Sequence, residues 1–165
     1  MIAITPAEAL WFLPPVLPIA FWVMWSDLSR MRIPNLAVML LAGAFLIVGL
    51  LALPMTEYAW RVGTMLAVLV LGFLANVIGL MGAGDSKFIA AAAPFIDPGD
   101  GVLLVFVFTA NLLACFATHR LAKHTPLRRL APGWTSWESG RKFPMGFALA
   151  GTLLIYLGLG AAGGA

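Results

Sequence analysis

Long apolar runs separated by short polar loops recur along this chain, and their lengths predict helices that cross a membrane. The runs lie at about 10–26, 36–53, 62–80, 102–118 and 143–159. Pro14, Pro15 and Pro18 fall inside the first and predict a kink. A further apolar segment, from Asp85 to Ile96, is only about 18 Å long as helix, against a hydrocarbon core of ~30 Å. It either begins near Met81, drawing Gly82 to Asp85 below the membrane surface, or inserts as a short segment. The expected fold is all-α: one integral-membrane domain over 1–165, a polytopic bundle of six transmembrane helices.

The charges orient this bundle. Nine of the ten basic residues follow the first, third or fifth run, and Arg61 alone falls on the other side. The basic side is therefore expected to be cytoplasmic, with both termini outside. Glu8, Glu57, Asp97 and Asp100 fall with Arg61, whereas Asp27 and Asp85 fall at the basic side. Arg30 and Arg32 read as interfacial anchors. A basic loop over about 119–142, with Trp134 and Trp137, is expected along the interface.

Composition agrees. Charged residues make up 10% of the chain and hydrophobic ones 62%, where a soluble domain carries about 25% charged residues. The formal charge of +3 therefore reports topology and contact with lipid, not nucleic acid. Cys115 is the only cysteine, which excludes an internal disulfide and a CxxC zinc cluster. His119 and His124 do not make a metal site by spacing alone. No basic residue precedes Arg30, so the first run is expected to persist as a helix and not to be cleaved as a secretory signal. The Gly-Ala-rich stretch from Gly158 to Ala165 reads as a frayed end, and Asn76 and Asn111 read as hydrogen-bonding residues between helices.

Asp27 and Asp85 are the candidates for chemistry. A carboxylate at membrane depth costs roughly 2.5–3.5 kcal/mol even on the insertion scale. Each has a structural alternative: Asp27 as a charged helix end beside Arg30 or Arg32, Asp85 as a helix N-cap paired with Lys87. Gly82 and Gly84, lacking Cβ, permit either positive φ or close approach of another chain. Asp27 ends its helix and Asp85 opens one, so the dipoles of their own helices favour Asp85 as the ionised member.

Three segments together carry a resemblance: Asp27 followed by Ile33-Pro34-Asn35, Gly82-Ala83-Gly84-Asp85-Ser86-Lys87, and Phe143-Pro144-Met145-Gly146. In order and approximate spacing they resemble the type IV prepilin peptidases, GxGD membrane aspartyl proteases. The resemblance implies that Asp27 and Asp85 are catalytic, with Gly82, Gly84, Lys87, Pro34, Asn35, Pro144 and Gly146 supporting motif or substrate. It implies no metal or cofactor. The partner is a prepilin or pseudopilin precursor with a short basic leader ending in glycine, followed by an apolar helix, and the location is the bacterial inner membrane. The paired CxxC motifs of two-activity members are absent from this sequence, so only the protease half is implied, as in short Tad/Flp-type peptidases. The second proline that many relatives carry after the last glycine is replaced here by Phe147-Ala148. The alternative readings are a small proton- or cation-translocating protein and a non-catalytic subunit of a pilus or secretion assembly. A presenilin-type protease fits less well, since Trp25-Ser26-Asp27 lacks a Tyr-Asp motif.

Overall fold

A computed structural model describes residues 2–140 and 142–163. Among them are six α-helices and no strand: α1 (Pro6–Arg30), α2 (Asn35–Ala52), α3 (Met55–Val77), α4 (Ala83–Ala92), α5 (Gly101–Lys123) and α6 (Met145–Gly163). All but α4 are long and apolar enough to cross a membrane. The chain is a multi-pass, all-α membrane bundle.

The fourth segment is the short inserted one. Ten residues of α4 rise only ~15 Å. Pro94 then removes a backbone donor, and the chain tightens into a 3-10 turn over Ala93–Phe95. This half-length helix packs against α2, α3 and α6, which bury Ser86, Phe88, Ala90 and Ala91 along it. The fourth of the six passes from end to end is thus made by a short helix and the 3-10 turn after it, and the other five by long apolar helices.

Other boundaries shift for identifiable reasons. Pro54 caps α3, which begins at Met55, not near residue 62. Glu57 and Arg61 thereby sit four residues apart on one helix and form an ion pair. Likewise α5 continues to Lys123, because His119 is buried, stacked on Trp137 at 4.9 Å and edge-on to Phe143 at 5.9 Å. The basic segment outside the helices therefore starts at His124, and Arg141 within it lies outside the described residues. At the C-terminus α6 runs to Gly163, and Gly160 packs so closely on Ile4 that a methyl there would come within 2.7 Å of Ile4 Cγ2. The expected frayed end is helix as far as it is described; Gly164 and Ala165 lie outside the described residues.

The helices bring the charges to two ends. At the end holding the N-termini of α1 and α3, Arg61 is 1% exposed and pairs with Glu8 at 2.9 Å, Asp97 at 3.1 Å and Glu57. Asp100 is buried there too, accepting from Tyr156 Oη at 2.7 Å and from the Ala3 and Ile4 amides at 2.7 and 3.0 Å. Phe12, Phe45 and Phe95 pack ring to ring beneath this cluster, their centroids 5.1–5.9 Å apart. At the opposite, basic end lie Asp27, Asp85, Lys87 and the segment between α5 and α6.

Candidate active site

Asp27 sits in the last turn of α1 and is 5% exposed. Its carboxylate does not pair with Arg30 or Arg32. Instead Oδ2 accepts backbone N–H groups from Gly146 at 2.6 Å and Phe147 at 3.3 Å. These are free donors of the first turn of α6, which the helix itself cannot satisfy. Pro144, buried just before α6, ends the preceding loop so that this turn faces α1. A side chain from one helix thus caps the start of another, and any proton on Asp27 is confined to Oδ1.

The loop after Asp27 is fixed by side chains of its own. Met31 closes α1 in the left-handed region at φ 53°, and its amide bonds the Asp27 carbonyl. Ser26 Oγ then donates to the Arg32 carbonyl at 2.9 Å. Ile33 precedes a proline, which holds it extended, and Pro34 caps α2. Asn35 opens α2, and its Oδ1 accepts from Lys87 Nζ of α4 at 3.3 Å. Asn35 and Lys87 therefore tie together the helix starts nearest the two acids.

Asp85 lies in the first turn of α4, three residues after the cap residue Gly82. It is not the N-cap, and it does not pair with Lys87. No described residue hydrogen-bonds its carboxylate. The side chain folds back over Gly82, where a methyl would approach Oδ2 to 2.8 Å. Neither Gly82 nor Gly84 has positive φ; that conformation occurs at Gly79, which ends α3 by letting the Leu80 amide reach the Ala75 carbonyl at 2.9 Å. Gly82 instead serves close approach, by the Asp85 carboxylate itself.

Gly84 packs on Ile33 in ordinary contact, a methyl there lying 3.5 Å from Ile33 Cβ, whereas Gly146 is tight against it: a methyl on Gly146 would lie 2.9 Å from Ile33 Cδ1 and 3.0 Å from Asp27 Oδ2. Ile33 is therefore wedged between the helix bearing Asp85 and the helix that holds Asp27. It spaces the two acids. In a helix the Cα–Cβ bond leans toward the N-terminus, so Asp27 leans into the bundle and Asp85 leans toward the basic end. Both acids thus lie at the basic end, with Ile33 packed between Gly84, beside Asp85, and Gly146, which holds Asp27.

Asp27 also meets the N-terminus of α6, whose dipole acts in the opposite sense to that of its own helix, so the helix dipoles alone do not rank the pair. Sequence motifs thus locate Asp27, Asp85, Gly82, Gly84, Pro34, Asn35, Lys87, Pro144 and Gly146 around one end of the bundle. The spacer role of Ile33, the amide of Phe147 and the brace from Ser26 are not visible in spacing. A β-branched residue before Pro34 is the one sequence signal that could have singled out Ile33.

The asparagines divide. Asn111 of α5 donates to the Ala148 carbonyl and Thr152 Oγ1 of α6, whereas Asn76 donates to the Met81 carbonyl within the α3–α4 loop. The carboxylates of Glu8, Glu57 and Asp97 also cluster, but around Arg61 at the other end.

No curated protein and no solved structure matches the chain. A profile of the type IV leader peptidase family does match, over residues 16–118. That stretch contains both aspartates, the Ile33 wedge and the Asn35–Lys87 bond, while the α6 amides that hold Asp27 lie beyond it. With the matched stretch covering more than half of its length, this chain belongs to the type IV leader peptidase family, a family of proteases.

Proposed function

We propose that this protein is an aspartyl endopeptidase that removes the leader from type IV prepilins or pseudopilins, of the Flp type, with Asp27 and Asp85 as its catalytic pair. The observation that carries this reading is the contrast between these two carboxylates and that of Asp100, the other buried acid described, both of whose oxygens are bonded. Asp27 is held by amides on one oxygen only, and Asp85 is unbonded, so three carboxylate oxygens are left to address water and substrate.

In the proposed reaction the pair shares one proton, since two adjacent carboxylates do not both ionise cheaply. The ionised carboxylate takes a proton from water, whose oxygen attacks the scissile carbonyl carbon. The protonated partner gives its proton to the carbonyl oxygen. Collapse of the tetrahedral diol breaks the C–N bond: one diol hydroxyl returns its proton to the carboxylate that had given one to the carbonyl oxygen, and the leaving nitrogen receives a proton from the carboxyl that accepted one from water. The products are a leader with a new carboxylate and a mature chain with a new amine. The pair regains its starting protonation, and the scheme requires neither metal nor cofactor.

Gly146 makes room for Ile33, which packs on Gly84, Pro34 and Pro144 set the helix starts, and Asn35 with Lys87 holds α2 to α4. Gly82 leaves the backbone beside Asp85 open to an extended peptide. By the distribution of basic residues this end faces the cytoplasm of a bacterial inner membrane, the termini are periplasmic, and the 165 residues form one peptidase domain. Co-expression with a prepilin tests the reading. Wild type should release the leader, and Asp27→Ala and Asp85→Ala should not; processing that survives both substitutions overturns it.

A further inference from the structure

Between α3 and α5 runs a groove of about 790 Å³, floored by α4 and α6. Val68 lines it from α3, Val105 and Phe108 from α5, Ala92 from α4 and Leu149 from α6. Asp85 is the one ionisable residue among those lining it, and it stands at the basic end. The Thr152 hydroxyl in the floor is already occupied, donating to the Ala148 carbonyl and accepting from Asn111. From Asp85 the groove follows α4 to Ala92, a rise of about 10 Å, and continues past the 3-10 turn to Ile96.

We infer that this groove seats the transmembrane helix of the substrate on one side of the cleaved bond, with the bond itself over Asp85. The inference rests on the proposed catalytic role of that residue. Three features identify the occupant. A chain whose peptide bond lies at Asp85 has a continuous apolar channel leading from that bond into the membrane. Within that channel nothing is free to bond a peptide backbone, so the occupant must satisfy its own amides and carbonyls, which only a helix does there. The small floor residues Ala92 and Ala93 leave depth for a helix to sink between the walls, as in other helix-in-groove complexes. The substrate therefore unwinds at Asp85 and remains helical below it.

Disulfide trapping tests this in native membranes. In a Cys115→Ala, Asp85→Asn background, single cysteines are placed by Ala92→Cys and Val105→Cys in the groove and by Phe73→Cys on the lipid-facing side of α3, where Phe73 is 64% exposed. The probe is a prepilin with one cysteine in its apolar segment, about seven residues from the cleaved bond, to match the ~10 Å from Asp85 to Ala92. Trapping is expected at Ala92→Cys and Val105→Cys, not at Phe73→Cys, and is lost when the apolar segment is deleted. In the Asp85-intact enzyme, Val105→Trp should raise KM for the same precursor about tenfold, a loss of ~1.4 kcal/mol. Asp85-dependent processing with equal trapping at Phe73→Cys, or with groove cysteines reached only by lipid, overturns the groove and leaves the protease reading intact. Failure of the Cys115→Ala enzyme to process the precursor, or processing by its Asp85→Asn form, overturns both.

Discussion

The two ends of the bundle hold similar groups in opposite ways. At the Arg61 end every carboxylate is matched: Glu8, Glu57 and Asp97 meet one guanidinium, and Asp100 takes a tyrosine hydroxyl and two amides. At the basic end Asp27 is matched on one oxygen and Asp85 on neither, although eight described Lys and Arg residues share that end of the chain's topology. A buried acid that only stabilises is neutralised by its surroundings. One whose oxygens are left free at a cost to the fold points to chemistry. Lys87, two residues after Asp85, bonds Asn35 instead.

The sharpest way to break this contrast is to neutralise the two uncommitted acids in turn. Asp85→Asn should lower prepilin cleavage by about 10²–10⁴-fold, the range of a general acid or base, while leaving the melting temperature in detergent unchanged or higher. Asp27→Asn should lose comparable activity but also about 1–2 kcal/mol of stability, because it weakens a charge-assisted cap on α6. Parallel activity and unfolding measurements on the two variants separate the roles. Equal stability losses would mean that Asp85 has a structural partner after all.

The matching experiment at the other end is Arg61→Met. Removing one member of a buried ion cluster typically costs about 3–5 kcal/mol, since the remaining charges stay unpaired. We expect a large loss of unfolding free energy, with kcat of the folded fraction retained. This end also shows what the sequence could and could not reveal. Apolar run lengths and loop charges were enough to read an all-α membrane bundle, the sidedness of the acids and the shortness of the fourth segment. They could not show that Arg61 belongs inside a helix, because Pro54 and Tyr58 flank it with no apolar period to extend α3 backward. Nor could they reveal that His119 is stacked in an aromatic cluster, since its neighbours Trp137 and Phe143 are distant in sequence.

The candidate site was legible to the level of motifs and no further. Asp27, Asp85 and their glycines stand out because charge and flexibility are rare in this chain. The wedge does not, because the Ile33-Pro34-Asn35 motif marks Ile33 without showing what its side chain packs against. Gly146→Ala tests it directly. The added methyl would meet Ile33 Cδ1 at 2.9 Å and Asp27 Oδ2 at 3.0 Å, so either the spacer or the carboxylate must move. We expect a stability loss of about 1–3 kcal/mol, typical of overpacking, and a drop in kcat. Adding Ile33→Val or Ile33→Ala should recover part of both. Recovery of stability without kcat would place the critical contact at Asp27 and not at the wedge.

The smallest effect belongs to the Lys87–Asn35 bond, which is long at 3.3 Å and solvent-exposed. Lys87→Ala and Asn35→Ala should each cost about 0.5–1.5 kcal/mol, the ordinary net worth of such a bond. The double variant should cost little more than either, because both remove the same contact. This bond joins the first turns of α2 and α4, and so reaches the pair only through the backbone on either side of Ile33 and Asp85. Its loss should therefore loosen the placement of Asp85 relative to Asp27 and lower kcat modestly, without changing which acid carries the shared proton. The pH profile of kcat measures that: a lower plateau with unmoved limbs fits a positioning role. Displaced limbs in Lys87→Ala but not in Asn35→Ala would show instead that the ammonium acts on the carboxylates through its charge, and the basic end would then be partly neutralised in the way the Arg61 end is.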